Sequence, residues 1–387
     1  MERLGPINLR RVQWVAADQG IDPADLGTHA GLSVKTWQKV LRGEEGLTYM
    51  QLQKLGDSVG RQPMFFLDPQ PVDTATIRSV QFRSTTEGEG QISGELIQLI
   101  DRSERQRDVY VALREDSDDP GPAYFDPPVR PGDNPETAAG KVRAWLKLPV
   151  DPSRTVTFDD YRSALEERDV LVLLATGYAG DWKFPKDSSA IGFSIYYEAA
   201  PLIMVRNSES KARELFTLAH ELGHLVLHGR GSITHENDLW ATRGREREAN
   251  AFAGRLLVPD ALLTTVDASM LGSDVSVYED RLAPYRKVWG VSTEVVLRRL
   301  MDAGRLPQTR YTEYRTWRES QPLPSRPPGG SRGYRHREPL HRFGKRFVRT
   351  VLDAISSDRI TVDRGSDYLD RLKIEYVRKL GDHVKGH

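Results

Sequence analysis

The chain is 387 residues long, contains no cysteine, and carries 55 Lys plus Arg against 55 Asp plus Glu. Disulfides, zinc ribbons and thiol catalysis are thereby excluded, a reducing compartment fits, and bulk charge points to no particular partner. The length calls for about two to four domains. No apolar run reaches about 18 residues, and Met1-Glu2-Arg3-Leu4-Gly5-Pro6 lacks the apolar core of a signal peptide. The expectation is a soluble, cytoplasmic protein with no membrane segment.

At the amino terminus, Pro23 to Ser33 reads as a helix, a tight turn at Gly31, and Ser33 as the N-cap of a following helix. That helix, Val34–Leu41, turns Lys35, Thr36, Gln38 and Lys39 away from an apolar Trp37, and a further amphipathic helix follows over 49–60. Short helices joined this way form a helix-turn-helix, whose second helix enters a DNA major groove. Residues 9–67 resemble the XRE (Cro/repressor-like) family. The resemblance implies a DNA-binding domain over 1–67, with operator or promoter DNA as partner; a homodimer is left open. Its basic residues are nearly balanced by acids, so a helical module that binds protein is the competing reading.

A connector with one helix is expected over 68–137: extended chain over 68–90, a helix over 92–114 with a solvated charged face, then a Pro- and Gly-rich loop. Proteins of similar two-domain layout carry Asp-Phe-Arg in the extended part, and here Gln81-Phe82-Arg83 departs from it. Helices over 138–146 and 158–168 and strands over 170–175, 190–196 and 202–205 then alternate. An α+β core is expected over 138–265.

His220-Glu221-Leu222-Gly223-His224 lies inside an apolar helical run. At about 100° per residue, two histidines four apart stack on one helix face and converge on a point where zinc can be held. Glu221 is placed to act as general base toward the attacking water. The bland alternative is two surface histidines on an amphipathic helix, and the apolar setting argues against it. A zinc enzyme needs a third protein ligand. Glu246 and Asn250, at i and i+4 of a helix that Pro259 ends, offer a carboxylate ligand and a polar group that could accept the N–H of a ligating imidazole and so orient its ring. Glu248 is the rival ligand and points away from Glu246; Ala249, Asn250 and Ala253 share the Glu246 face and permit close helix approach. Arg230 stands where a metzincin would carry its third histidine. His228 either touches substrate or makes a structural hydrogen bond, and with Tyr196 and Tyr197 it is a candidate to stabilise the oxyanion.

The run Phe216 to His228, then Glu246, Ala249, Asn250, Phe252, Ala253 and Leu256-Leu257-Val258-Pro259, resembles the ImmA/IrrE family of bacterial metallopeptidases over roughly residues 140–265. Gly192-Phe193-Ser194 and Pro201 to Asn207 resemble the strand and turn before the zinc helix of that family. The resemblance implies one Zn2+ per chain on His220, His224 and Glu246, with Glu221 catalytic.

Beyond Pro259, helices over 278–289 and 293–301 repeat a helix-turn-helix spacing within a helical extension over 266–320. A flexible linker is expected over 321–334 and a basic helical segment over 335–387, with helices over 343–356 and 362–380. Arg332, Arg335, Arg337, Arg342, Lys345, Arg346 and Arg349 form the one concentrated basic stretch, which contacts DNA, an acidic partner or nothing. The whole reads as multidomain: an all-α helix-turn-helix domain, an α+β zincin-like core and an α-helical C-terminal region. The expected function is a DNA-binding zinc metallo-endopeptidase that cleaves a repressor or regulatory partner. The alternative is a transcriptional regulator or antitoxin of a toxin-antitoxin system, whose zinc domain binds a cognate toxin or senses a signal.

Overall fold

The computed structural model describes residues 3–19, 21–59, 63–69, 92–116, 121–175, 181–208, 210–321 and 332–385. Gln81-Phe82-Arg83, most of the 68–90 connector and most of the 321–334 linker lie outside the described residues. Two units separate: Met1–Arg102 with Phe184–Ser188, and Ser103–Lys183 with Ser189–His387. Among the described residues no helix is long and apolar enough to cross a membrane.

The first unit is helical: Leu9–Gln19 (α1), Pro23–His29 (α2), Val34–Leu41 (α3) and Tyr49–Ser58 (α4). Local chemistry sets the boundaries. Asp22 caps α2 by accepting from the Ala24 amide, with Pro23 at the first helical position, and Ser33 caps α3 by accepting from the Thr36 amide. Trp37 is buried and donates its indole N–H to the Pro23 carbonyl at 2.9 Å, which ties α3 to the start of α2. The chain division falls within the next helix, Gly94–Glu115 (α5).

In the second unit, Pro135–Trp145 (α6) and Phe158–Glu166 (α7) precede a four-stranded mixed sheet. Its strands are Leu171–Ala175 (β1), Ala190–Ile195 (β2), Leu202–Arg206 (β3) and Ser232–His235 (β4), in the order β1-β3-β2-β4. β1 runs parallel to β3, with Leu171 opposite Leu202; β2 is antiparallel to β3 and to β4, with Phe193 opposite both Met204 and Ile233. The unbroken apolar runs of β1 and β3 match their burial on both faces. The short and mostly polar β4 gave no strand signal in the sequence.

Lys211–Gly223 (α8) follows β3, capped by the Ser210 hydroxyl, and continues into a π-helical turn over His224–His228. Gly244–Leu257 (α9) packs against both α8 and α6. The helix-turn-helix spacing of the extension appears as Ala283–Trp289 (α10) and Thr293–Asp302 (α11). Val296, Leu297 and Leu300 join the same apolar core as α8 and α9, and buried Arg299 donates to the Val258 carbonyl at 3.1 Å. This pair of helices is core packing of the second unit.

Three local expectations are corrected. The charged face of α5 is not simply solvated: Arg107 donates to the carbonyls of Ala199 and Ala200 and covers the Tyr197 ring, while Glu104 accepts from the Tyr197 hydroxyl. The helix expected over 362–380 is broken into Val362–Tyr368 and Ile374–Lys385. Asp370 and Arg371 adopt left-handed backbone at the break, and Asp370 is anchored there by Arg342 and by the Trp182 indole, so tertiary bonding overrides local periodicity. The basic stretch is partly consumed internally: Arg342 pairs with Asp370 and Arg346 with Asp169 at 2.9 Å, while Lys345 and Arg349 stay exposed. Buried Arg162 of α7 then ties this segment to the sheet, donating to the carbonyls of His341, Arg342 and Val172 of β1.

Candidate metal centre

The apolar face of α8 and the π-helical turn that continues it carry His220 and His224 into the interior, where both are buried. Their Nε2 atoms lie 3.0 Å apart. Glu246, on the first turn of α9, places Oε2 at 3.0 Å from His220 Nε2 and 3.3 Å from His224 Nε2. Helix approach makes this possible. A Cβ on Gly223 would stand 3.1 Å from the Phe252 ring and 3.2 Å from the Ala249 backbone, so glycine facing alanine sets the close spacing of α8 and α9. The Glu246 side chain is 27% exposed, which puts the solvent-facing side of the cluster at the carboxylate.

Asn250 decides the protonation of His220. Its Nδ2 donates to the Asp238 carbonyl at 2.8 Å, so its Oδ1 faces His220 Nδ1 at 2.9 Å and must accept. In the neutral ring the proton therefore sits on Nδ1, and Nε2 is the nitrogen left to bind a cation. An aspartate at 250 could not donate to Asp238, which is a physical reason for asparagine here.

Glu221 points from α8 to the sheet. Its Oε2 accepts from the Ser194 hydroxyl of β2 at 2.8 Å, and among the described residues its Oε1 has no hydrogen-bond partner. A Cβ on Gly192 would come within 3.0 Å of that Oε1 and 2.6 Å of Thr217, so β2 needs a glycine where α8 crosses it. Burial pushes the Glu221 pKa up to about 7, against the opposing effects of His220, Thr234 and Ser194. Thr234 of β4 is near enough to act on the carboxylate, yet its hydroxyl falls short of hydrogen-bond geometry. Such a carboxyl is poised to exchange a proton near neutral pH.

The cluster attracts positive charge. Burial disfavours the His220 imidazolium, but the Glu246 carboxylate outweighs it and the His220 pKa is raised. Burial holds His224 down at about 4. Burial also works against the Glu246 carboxylate, and the two histidine side chains beside it more than offset that, keeping its pKa far below the usual range. The three ligand atoms also fit a divalent ion in size. Tetrahedral zinc with N and O donors at about 2.0–2.2 Å has ligand-to-ligand edges of about 3.3 Å. The observed edges of 3.0, 3.0 and 3.3 Å need only a slight expansion. His220, His224 and Glu246 are thus a group able to hold a metal ion.

Residues 183–301 match the family model of the IrrE N-terminal-like domain, Peptidase_M78. The match runs from β2 through α8, β4 and α9 into α11, and so takes in every residue of the cluster. Comparison with curated proteins gives no match, nor does comparison with solved structures. Residues 183–301 are thus similar to a peptidase-family domain, and the histidine–glutamate cluster lies inside the matched stretch.

The remaining candidates fall elsewhere. Glu248 is absent from the triangle and accepts from or shares a proton with His228 Nε2 at 3.0 Å. His228 in turn meets His224 Nδ1 at 3.0 Å. Tyr197 donates to Glu104, and Tyr196 packs edge-on against Phe125. In the first unit, Lys35 and Gln38 are exposed, Thr36 shares a hydrogen bond with its cap Ser33, and Lys39 is paired with Glu45 at 3.2 Å. Sequence reasoning missed Ser194, Thr234 and Asp238. Ser194 left a signal, as the one hydroxyl inside an otherwise apolar strand.

Proposed function

We propose that the IrrE-like domain is a zinc-dependent endopeptidase acting on a regulatory protein. The observation that carries this reading is the triangle of His220, His224 and Glu246 beside the buried carboxyl of Glu221. Zinc bound there would polarise a peptide carbonyl and acidify water. Asn250 holds the His220 ring for that ion, and Ser194 holds one oxygen of Glu221 so that Oε1 is the atom left for chemistry. Oε1 takes a proton from the attacking water and returns it to the leaving amine as the carbon–nitrogen bond breaks. The water oxygen ends in the new carboxylate.

The same reading assigns residues 138–265 to the peptidase module and 1–67 to a DNA-binding module, with 68–137 between them and 266–387 as helical additions. A regulator or antitoxin that binds operator DNA is the second reading. It is favoured by the α2–turn–α3 arrangement, which leaves Lys35 and Gln38 exposed on the second helix. In it, the zinc domain binds a toxin or senses a signal and cleaves nothing.

A Glu221→Gln chain separates the two. Gln keeps the size of the side chain and can still accept from Ser194, but it cannot take a proton. Affinity capture from the host cell should retain a protein that the wild type releases in two pieces, with turnover lowered at least about a hundredfold. Wild type and Glu221→Gln retaining the same intact partner would favour the regulator.

A further inference from the structure

We propose that His228 and Glu248 form a positioning relay that fixes the ring of His224 as a metal ligand, so that the two acidic residues at the start of α9 do different jobs: Glu246 binds the ion and Glu248 supports it through two imidazoles. The inference rests on the metal-site reading above and extends it to residues outside the ligand set.

The geometry is a continuous line of polar atoms. Glu248 Oε2 lies 3.0 Å from His228 Nε2, His228 Nδ1 lies 3.0 Å from His224 Nδ1, and His224 Nε2 points into the triangle. Two gaps need two protons. With Glu248 ionised and His228 neutral, one proton sits on His228 Nε2 and the other on His224 Nδ1, which leaves His224 Nε2 as a lone pair. Both histidine ligands are then set in the same tautomer by different means. His220 donates to an amide anchored on the Asp238 carbonyl, and His224 donates to an imidazole anchored on a carboxylate.

The fold builds this line deliberately at a π-helical turn. His224 and His228 are the two ends of that turn, which closes at Gly229 in left-handed backbone. Such turns replace regular helix at a cost and recur at functional sites. The His228 side chain is only 6% exposed, whereas Glu248 is 47% exposed, so the relay runs from buried ligand to solvent-facing charge. A carboxylate at the far end makes the near imidazole a stronger donor to a cation.

The test uses the full chain and zinc alone as probe, with zinc affinity measured by chelator competition and unfolding followed on metal-stripped protein. His228→Leu fills the space but cannot accept a proton, and Glu248→Ala removes the charge. Each should weaken zinc binding about 10- to 100-fold. His228→Gln offers an oxygen to His224 Nδ1–H and should recover most of that loss. A His228→Leu chain that binds zinc as tightly as wild type overturns the relay alone. So does a series in which His228→Gln is as weak as His228→Leu and affinity merely follows the unfolding midpoint. A wild type that binds no zinc overturns the metal centre itself, and the relay with it.

Discussion

Asn250 holds the His220 ring from behind, with its side-chain oxygen 2.9 Å from Nδ1 and its amide nitrogen fastened 2.8 Å from the Asp238 carbonyl. The arrangement links His220 of α8 to the short 3-10 helix Glu236–Trp240 through one residue of α9. Two roles of Asn250 can be pulled apart. Asn250→Asp keeps an acceptor for His220 but sets a carboxylate against a carbonyl. It should keep zinc affinity and lose about 1–3 kcal/mol of stability. Asn250→Ala should lose both, with zinc affinity down about 10- to 100-fold. Chelator competition and chemical denaturation read the two effects separately; equal zinc affinity in Asn250→Ala would remove the orienting role.

Glu221 makes a prediction about pH. Its pKa rises from 4.5 to about 7 on folding, chiefly through burial. The folded state therefore holds the proton more tightly than the unfolded one. This contribution to stability is complete below pH 4.5 and is lost as pH rises through 7, a change of about 3 kcal/mol. Glu221→Gln removes the titration. In metal-stripped protein the variant should match wild type near pH 4.5 and exceed it at pH 8, as measured by denaturant midpoints. A difference between the two proteins that does not vary with pH would contradict this. Such a gain in stability alongside a loss of turnover is expected where a charge is buried for chemistry.

Much of this was legible in the sequence, for identifiable reasons. His220 and His224 could be put on one helix face because helix geometry fixes what lies four residues on, and the small residues that share its face of the next helix favour Glu246. Strands β1, β2 and β3 announced themselves as apolar runs between turns. Contacts between distant segments were not legible. Ser194 reaches Glu221 only because β2 passes beneath α8, and Asp238 reaches Asn250 only because the 3-10 helix returns to α9. The roles of Glu246 and Glu248 were posed as rivals by periodicity alone, and their side chains part toward different histidines. The helix expected over 362–380 failed for a similar reason, since Asp370 is held by Arg342 from another helix.

The first unit carries its own prediction. Lys39 of α3 is paired with Glu45, which also binds Arg3 at 3.0 Å, so the basic edge of the helix is partly neutralised. If α3 reads DNA, Glu45→Gln should free Lys39 and tighten binding to DNA from upstream of the protein's own gene. The slope of log affinity against log salt should steepen by about one. Lys35→Ala with Gln38→Ala should weaken the same complex. Unchanged affinity in both proteins would leave the unit as a protein-binding module.

Zinc stoichiometry tests the central claim most directly. Elemental analysis of the full chain after saturation and removal of free metal should give one zinc per chain in wild type. Binding should tighten as pH rises, because protons compete with the ion for the histidine nitrogens. Glu246→Ala should hold little or none, while Glu248→Ala should still hold one at saturation, though more weakly. Full zinc in Glu246→Ala with loss in Glu248→Ala, or none in wild type, would contradict the account.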